Sequence, residues 1–426
     1  MADFGRAAFD LAQLALRGRK EITPPSGLGY TPPFKVYRDN LGIYTDFTIE
    51  KYKNTGGQDY YVTNNGSDSN DGKSWSTAFS SMSKALSMAD VGTIYVKFDL
   101  YDRNRGLSAV TITKSVNIIA VGGKVIFSAH NSLTWSLTSG QTYTYQAARS
   151  TVDAVWDAKT VDELGDYKML TKRTSIAEVE ANAGSWYTDG TTLYVHTHDN
   201  RIPDTFIRAY LAVPNGVINS GTAKVYLEGV TFEGGIEPLK VTNGNTSSMP
   251  AVYAKKCKFK YGTQSNGATI QGADSFFVDC EAARNNLDGF NYHIYNNLKG
   301  IPVEINCVGR NNGYTTQDNN NGTTTHDAIT SVRINGTYNK NKGPNVADVG
   351  AGKSWVVNSL GHTSTATTDV QNTNFQIDGL MWLDGCDSYN SPYDIATTTA
   401  SSALYVRDLK WTAKFFNTTG ASINPY

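Results

Sequence analysis

Asp, His and Tyr gather in three turn-like stretches of the C-terminal half. "NNLDGFNYH" (Asn285 to His293) holds Asp288, Tyr292 and His293. "TTTHDAIT" (Thr323 to Thr330) holds His326 and Asp327, and "GPNVADVG" (Gly343 to Gly350) holds Asp348. Two carboxylates facing each other can act as acid and base on a glycosidic bond, because crowding and burial push their pKa values apart. A separation of about 5 Å suits a nucleophile and acid, and one of about 6.5–9.5 Å leaves room for a water. A nearby imidazole can take either proton-transfer role. His293 and His326 are two of only six histidines in the chain, which sets these stretches apart from ordinary Asx-rich turns. Asp288, His293, His326, Asp327 and Asp348 are therefore the candidate catalytic residues, with Tyr292, Tyr314 and Lys353 assigned to sugar binding.

Such a site needs a frame that brings together residues 60 positions apart, and the frame is repetitive. An aliphatic–Asp/Asn–small triplet recurs as "VDC" ending at Cys280, "INC" at Cys307, "ING" at Gly336, "VNS" at Ser359 and "LDG" at Gly385. "KKC" at Cys257 precedes the series and "VRD" at Asp408 closes it. Each follows a short β-rich run, and no useful amphipathic helix lies between copies. A period in the twenties built of strands and turns is a β-solenoid, whose coils bury their inward residues against neighbours above and below. The Asp or Asn tolerates left-handed backbone and can bond to its counterpart one coil away. Coils rise by about 4.8 Å, so carboxylates on adjacent or next-adjacent coils fall in the two separations above.

Composition limits the alternatives. There are 38 Lys+Arg against 39 Asp+Glu with no basic run, which excludes a phosphate-tracking surface and hence a nucleic-acid partner. Cys257, Cys280, Cys307 and Cys386 have neither metal-site nor disulfide-framework spacing and read as small buried residues. His196 and His198 alternate on one strand without a third ligand, and "DSNDG" (Asp68 to Gly72) lacks the glutamate of a calcium loop. Surface strand and solvated turn are the readings, and no metal or cofactor is assigned.

The start of the chain, "MADFGRAAFDLAQLALRGRK", reads as an amphipathic helix with Asp3 as N-cap and a basic end. It has no signal-peptide core and no membrane span. "TPPSGLGYTPPFKVY" follows as an extended linker. The expected organisation is an N-terminal helix and linker over 1–33, a segment with a capping helix over 34–90, the solenoid over 91–415 and a tail over 416–426. Residues of about 135–210, with a hairpin around Asp189-Gly190, interrupt the coil pattern as a lateral β insertion.

"YYVTNNGSDSNDGKSWSTAFSSMSKAL", followed by coils such as "VYLEGVTFEGG" and "VYAKKCKFKYG", resembles the start of pectate-lyase-like proteins, bacteriophage tailspikes above all. The resemblance spans residues 59 to 415 by fold pattern. It implies an all-β, right-handed, single-stranded parallel β-helix in a homotrimer on a virion. Such a trimer is made in the host cytoplasm, docks on a virion or baseplate protein through its N-terminus, and binds bacterial surface polysaccharide, often cleaving it. No catalytic motif of pectate lyases or polygalacturonases matches, and "LGHTS" at His362 is only a fragment. Hydrolysis, elimination and a non-catalytic receptor-binding spike all remain open at this point.

Overall fold

Left-handed backbone recurs at one corner of every coil. Lys256, Asp279, Asn306, Asn335, Asn358, Gly385 and Asp408 all have φ between 46° and 64°. Asn and Gly reach this region at least cost, which explains the recurring triplet. The side chains form a ladder along the axis. Asn306 Nδ2 donates to Asp279 Oδ1 (2.9 Å), Asn335 Nδ2 to Asn306 Oδ1 (3.1 Å) and Asn358 Nδ2 to Asn335 Oδ1 (2.8 Å). The small residue that follows turns inward, so Cys257, Cys280, Cys307 and Cys386 are buried and unbridged. Val278 pairs with Ile305 and Glu281 with Val308, which stacks Cys280 and Cys307 one coil apart. Two triplets slip by one residue: Gly385 and Asp408 are themselves the left-handed residues, with Cys386 taking the small position.

This computed structural model describes residues 18–426 apart from 109, 315–317, 413 and 418–419. The expected N-terminal helix lies outside the described residues over 1–17, and Lys20–Ile22 is already a strand. From each left-handed corner the chain runs through three parallel walls. The first includes Lys224–Glu228, Ala251–Lys255, Asp274–Val278, Pro302–Ile305, Thr330–Ile334 and Lys353–Val357. The second, past the corner, includes Val230–Glu233, Lys258–Lys260, Glu281–Ala283, Val308–Arg310, Thr337–Asn339, Leu360–His362 and Asp387–Tyr389. The third is a ten-stranded parallel sheet running in chain order from Val110–Ile112 to Phe415–Asn417. Its middle strands are Leu239–Thr242, Ala268–Gln271, Phe290–His293, Thr323–Thr325 and Val346–Asp348. Helix Met82–Ser87 closes the first coil. It buries Met82, Ala85 and Leu86 and is capped by Ser81, whose hydroxyl accepts from Lys84 N. The "DSNDG" turn is tied to this cap, since Asp68 accepts from the backbone and hydroxyl groups of Ser80 and Ser81.

The first outer face is covered by a strap and the second in part by the lateral insertion. Residues 18–53, expected in part to be a free linker, lie as a strap along the first wall. Ile22, Leu28, Phe34 and Ile49 pack there on an outward stack of Tyr226, Tyr253, Phe276, Val303, Val332, Trp355 and Trp382. Large apolar residues on an outer face must be covered, and the strap is what covers them. Residues 136–210 leave the coil to form two small sheets, including the antiparallel hairpin of Ser185–Thr188 with Thr192–His196. Asp166 pins this insertion to the second wall, where Lys260, Arg284 and Arg310 converge on its carboxylate. Burial pushes that carboxyl up, and Arg310 and Lys260 more than offset it, holding it at about 2. His196 is buried in the insertion rather than on its surface, with Nδ1 3.0 Å from Val179 O and Nε2 2.7 Å from Asn200 Oδ1. On the third wall Lys240, Gln271, His293 and His326 remain part-exposed.

Candidate functional site

Alternation along the third wall decides which candidates can meet. Phe290 and Tyr292 are buried in the solenoid, so Asn291 and His293 point outward. Asn291 pairs with Thr324 and Tyr292 with Thr325, which sets His326 directly above His293. The two imidazoles stack with centroids 4.1 Å apart and planes 9° apart. His326 N donates to Tyr292 O at 2.9 Å, fixing the upper ring's backbone.

Asp288 supports this pair from below. Its Oδ2 accepts from Asn291 Nδ2 at 2.6 Å, and its Oδ1 accepts from Asn321 N at 2.7 Å. Asn291 Nδ2 also lies 3.2 Å from His326 Nε2, which makes that nitrogen the acceptor and places the neutral ring's proton on Nδ1. Burial pushes the Asp288 carboxyl up, against hydrogen bonds from Asn321 and Asn291. Burial also lowers both histidines. For His293 the neighbouring His326 adds to it, while Asp327 and Asp288 oppose it, and for His326 only Asp327 opposes it. Both rings are therefore neutral near pH 7 and able to accept a proton.

Asp327 stands at the rim of this pair. It is exposed and left-handed (φ 63°), and its Oδ2 accepts from Ile294 N at 3.1 Å. Asp288, His293, His326 and Asp327 thus come together.

Asp348 does not join them. It shares the inward parity of Val346, and its carboxylate is buried inside the solenoid. There it accepts from Thr325 Oγ1 (2.6 Å), Arg333 Nη1 (3.1 Å) and the Ser354 hydroxyl. Glu304 sits in the same layer, accepting from Tyr292 OH (2.9 Å), Tyr338 OH (2.8 Å) and Thr323 Oγ1 (2.5 Å), with Arg333 Nε 3.8 Å away. Tyr292 is thereby a core residue and not a sugar contact. Lys353 is on the first wall, its Nζ donating to Gly27 O of the strap at 2.9 Å. Tyr314 is at the far corner, edge-on to Trp156, its hydroxyl donating to the carbonyls of Gly262 and Thr263. Four of the five catalytic candidates therefore come together, and Asp348 is set apart because alternation along its strand puts it on the inward side.

No family model matches the chain, and no curated protein does. Solved structures do. A glycoside hydrolase is 10% identical over 86% of this chain and 96% of its own, with a TM-score of 0.55. XylC, solved with xylose, is 13% identical over 83% and 70%, at 0.50. The fold is the right-handed parallel β-helix. A tailspike protein from Pseudomonas phage LKA1 covers 70% of its own chain and 78% of this one at 12% identity, with a TM-score of 0.27, a likeness too slight to bear on function.

On this β-helix the third wall carries a second pattern, distinct from the corner triplet. Just before four of its middle strands a polar residue reaches the outward residue three positions on. Glu237 Oε1 lies 3.1 Å from Lys240 Nζ, and Asn266 Nδ2 donates to Thr269 Oγ1 at 3.1 Å. Asn291 donates to Asp288, and Asn321 Nδ2 donates to Thr324 Oγ1 at 2.9 Å. Gly267, Gly289 and Gly322 follow three of these residues; a side chain there would strike the buried asparagines of the adjoining corner or a neighbouring carbonyl. The spacing Glu/Asx-x-x-polar ahead of an apolar strand was the available signal for Glu237. Glu237 and Asp288 occupy the same column two coils apart, roughly 10 Å by strand spacing, at the upper end of an inverting pair.

Proposed function

We propose that the protein is a phage tailspike that binds a bacterial surface polysaccharide along the outer face of the third wall and cleaves it beside His293 and His326. The observation that carries this reading is the stacked, half-buried imidazole pair, kept neutral by burial and flanked by the exposed Asp327. A neutral imidazole can take a proton from water or from a sugar carbon, and general acid–base transfer of this kind contributes roughly 10²–10⁴-fold. His326 is held through Asn291 by Asp288, which leaves His293 as the proton-transfer residue and His326 as the residue that positions it. Lys240 and Gln271 are part-exposed and extend the same face, supported by the buried Glu237 and Thr269, which suits a polymer of hydroxyl-bearing rings. In this reading the spike is a homotrimer attached to the virion through its N-terminal segment.

Incubation with host capsule or lipopolysaccharide should release oligosaccharides, and His293→Asn should abolish release while retaining glycan binding. One observation favours a second reading, a receptor-binding spike without cleavage: Asp288 and Asp327 both already serve as hydrogen-bond acceptors for backbone N–H groups. Binding without product from the unaltered protein would select that reading, and the absence of both would reject the glycan role.

A further inference from the structure

A second polar track runs along a different edge of the solenoid, at the corner between the second and third walls. Arg284, Asn311, Lys340 and Thr363 occupy it in successive coils, each with left-handed backbone (φ 53–58°). Left-handed backbone at an outer corner sends the side chain outward, so the corner presents one polar group per coil. The rise is about 4.8 Å, comparable to the length of one sugar ring. Beside these residues lies a cleft of about 360 Å³, walled by Tyr314 and Thr365. Next along the same edge His362 and Tyr389 stack with centroids 5.0 Å apart and planes 15° apart, and Tyr389 is 40% exposed. Flat rings and amides at sugar-length spacing suit a glycan strand better than a compact metabolite.

The charge at this edge selects the kind of glycan. Arg284 is committed to the insertion through Asp162 and Asp166. Lys340 is not so held. It is 40% exposed, and its partner Glu163 is 80% exposed at 3.7 Å. Exposed pairs of this geometry contribute little, so a ligand carboxylate can displace Glu163 at small cost. Lys340 supplies a compact cation beside the ring platform.

We propose that this corner is an accessory binding site for an acidic polysaccharide, with Lys340 taking a sugar carboxylate, His362 and Tyr389 stacking on ring faces, and Tyr314 closing the cleft. It is separate from the third-wall face and independent of whether that face cleaves. The test is calorimetric titration of the full chain with tetragalacturonate, a hyaluronan hexasaccharide and neutral maltotetraose. At least one acidic probe should bind more tightly than maltotetraose. Lys340→Gln and Tyr389→Ala should each weaken it at least tenfold, while Lys240→Gln on the third wall should not. Failure of both acidic probes to bind, or equal binding in Lys340→Gln, would overturn the proposal. Loss of binding in Lys240→Gln alone would also overturn it by moving the contact to the third wall, and the proposed cleavage site would survive that result.

Discussion

Replacing Asp348 with Asn removes one charge from a closed layer inside the solenoid. Arg333 is buried there with Asp348 at 3.1 Å and Glu304 at 3.8 Å. Burial works against the guanidinium charge, and Asp348 and Glu304 outweigh it. The layer therefore holds two carboxylates against one cation, and Asp348 has the closer contact. Breaking a buried pair from one side costs about 3–5 kcal/mol where the remaining ion is left alone; here Glu304 stays 3.8 Å from Arg333, so the loss is smaller. Asn keeps the shape but has one acceptor oxygen where Thr325 and Ser354 bind two, so a loss of about 1.5–3 kcal/mol, that of a hydrogen bond to a charged group, is expected. Asp327→Asn is the control: exposed and bound through one backbone N–H, it should shift stability by no more than about 0.5–1 kcal/mol. Urea unfolding followed by far-UV circular dichroism reads both variants, and oligosaccharide release is measured on the same samples. Replacing the three charges together (Glu304→Gln, Arg333→Met, Asp348→Asn) should recover most of the loss. An Asp348→Asn protein with an unchanged midpoint and no glycan cleavage would refute the placement of this carboxylate inside the coil.

Other expectations follow from the same geometry. Leu28→Ala should cost about 2–4 kcal/mol, since this strap side chain is fully buried against the first wall; deleting residues 1–33 should expose the first wall and promote aggregation. Asn335→Ala should cost about 1–2 kcal/mol, because alanine fits left-handed backbone poorly and breaks the ladder, and Asn335→Gly should cost less. His130 is buried against the Ser128 hydroxyl, and burial with Arg208 and Arg149 nearby pushes its pKa down to about 3. The unfolded chain takes up that proton below its ordinary 6.5, so stability should fall as pH drops from 6.5 towards 3, and His130→Gln should narrow the gap between melting temperatures at pH 7 and pH 4. Cleavage should persist somewhat below pH 6.5 before failing, since burial lowers the pKa of His293 and His326, and a profile that falls only above pH 6.5 would contradict the imidazole base.

The corners were legible because left-handed backbone selects for few residue types, so Asn, Asp and Gly mark each coil. The same tolerance produced the slip at Gly385, since glycine suits both the left-handed position and the small one beside it. The site was half legible. His293 and His326 could be placed on adjacent coils, but Asp348 follows Ala347, a residue too small to show which side of the strand faces the core. A charged core layer defeats any reading that sends carboxylates outward, because Glu304, Arg333 and Asp348 satisfy one another across coils far apart in sequence. The strap was hidden for a related reason. Ile22, Leu28 and Phe34 are scattered among prolines and glycines, and their packing is set by the aromatic stack beneath them and not by any local period.

That strap also changes how the molecule yields under load. A bare solenoid comes apart like a stack of coins, each end coil resting only on the next. Here Lys53 reaches Glu228 near one end, Gly27 meets Lys353 midway, and Arg38 holds both Asp384 and Asp408 towards the other. A single segment thus crosses most of the stack lengthwise, as a batten crosses planks. Peeling the last coil must also lift the batten, so tension along the axis is shared among many coils and the rod should fail abruptly at high force, without fraying turn by turn.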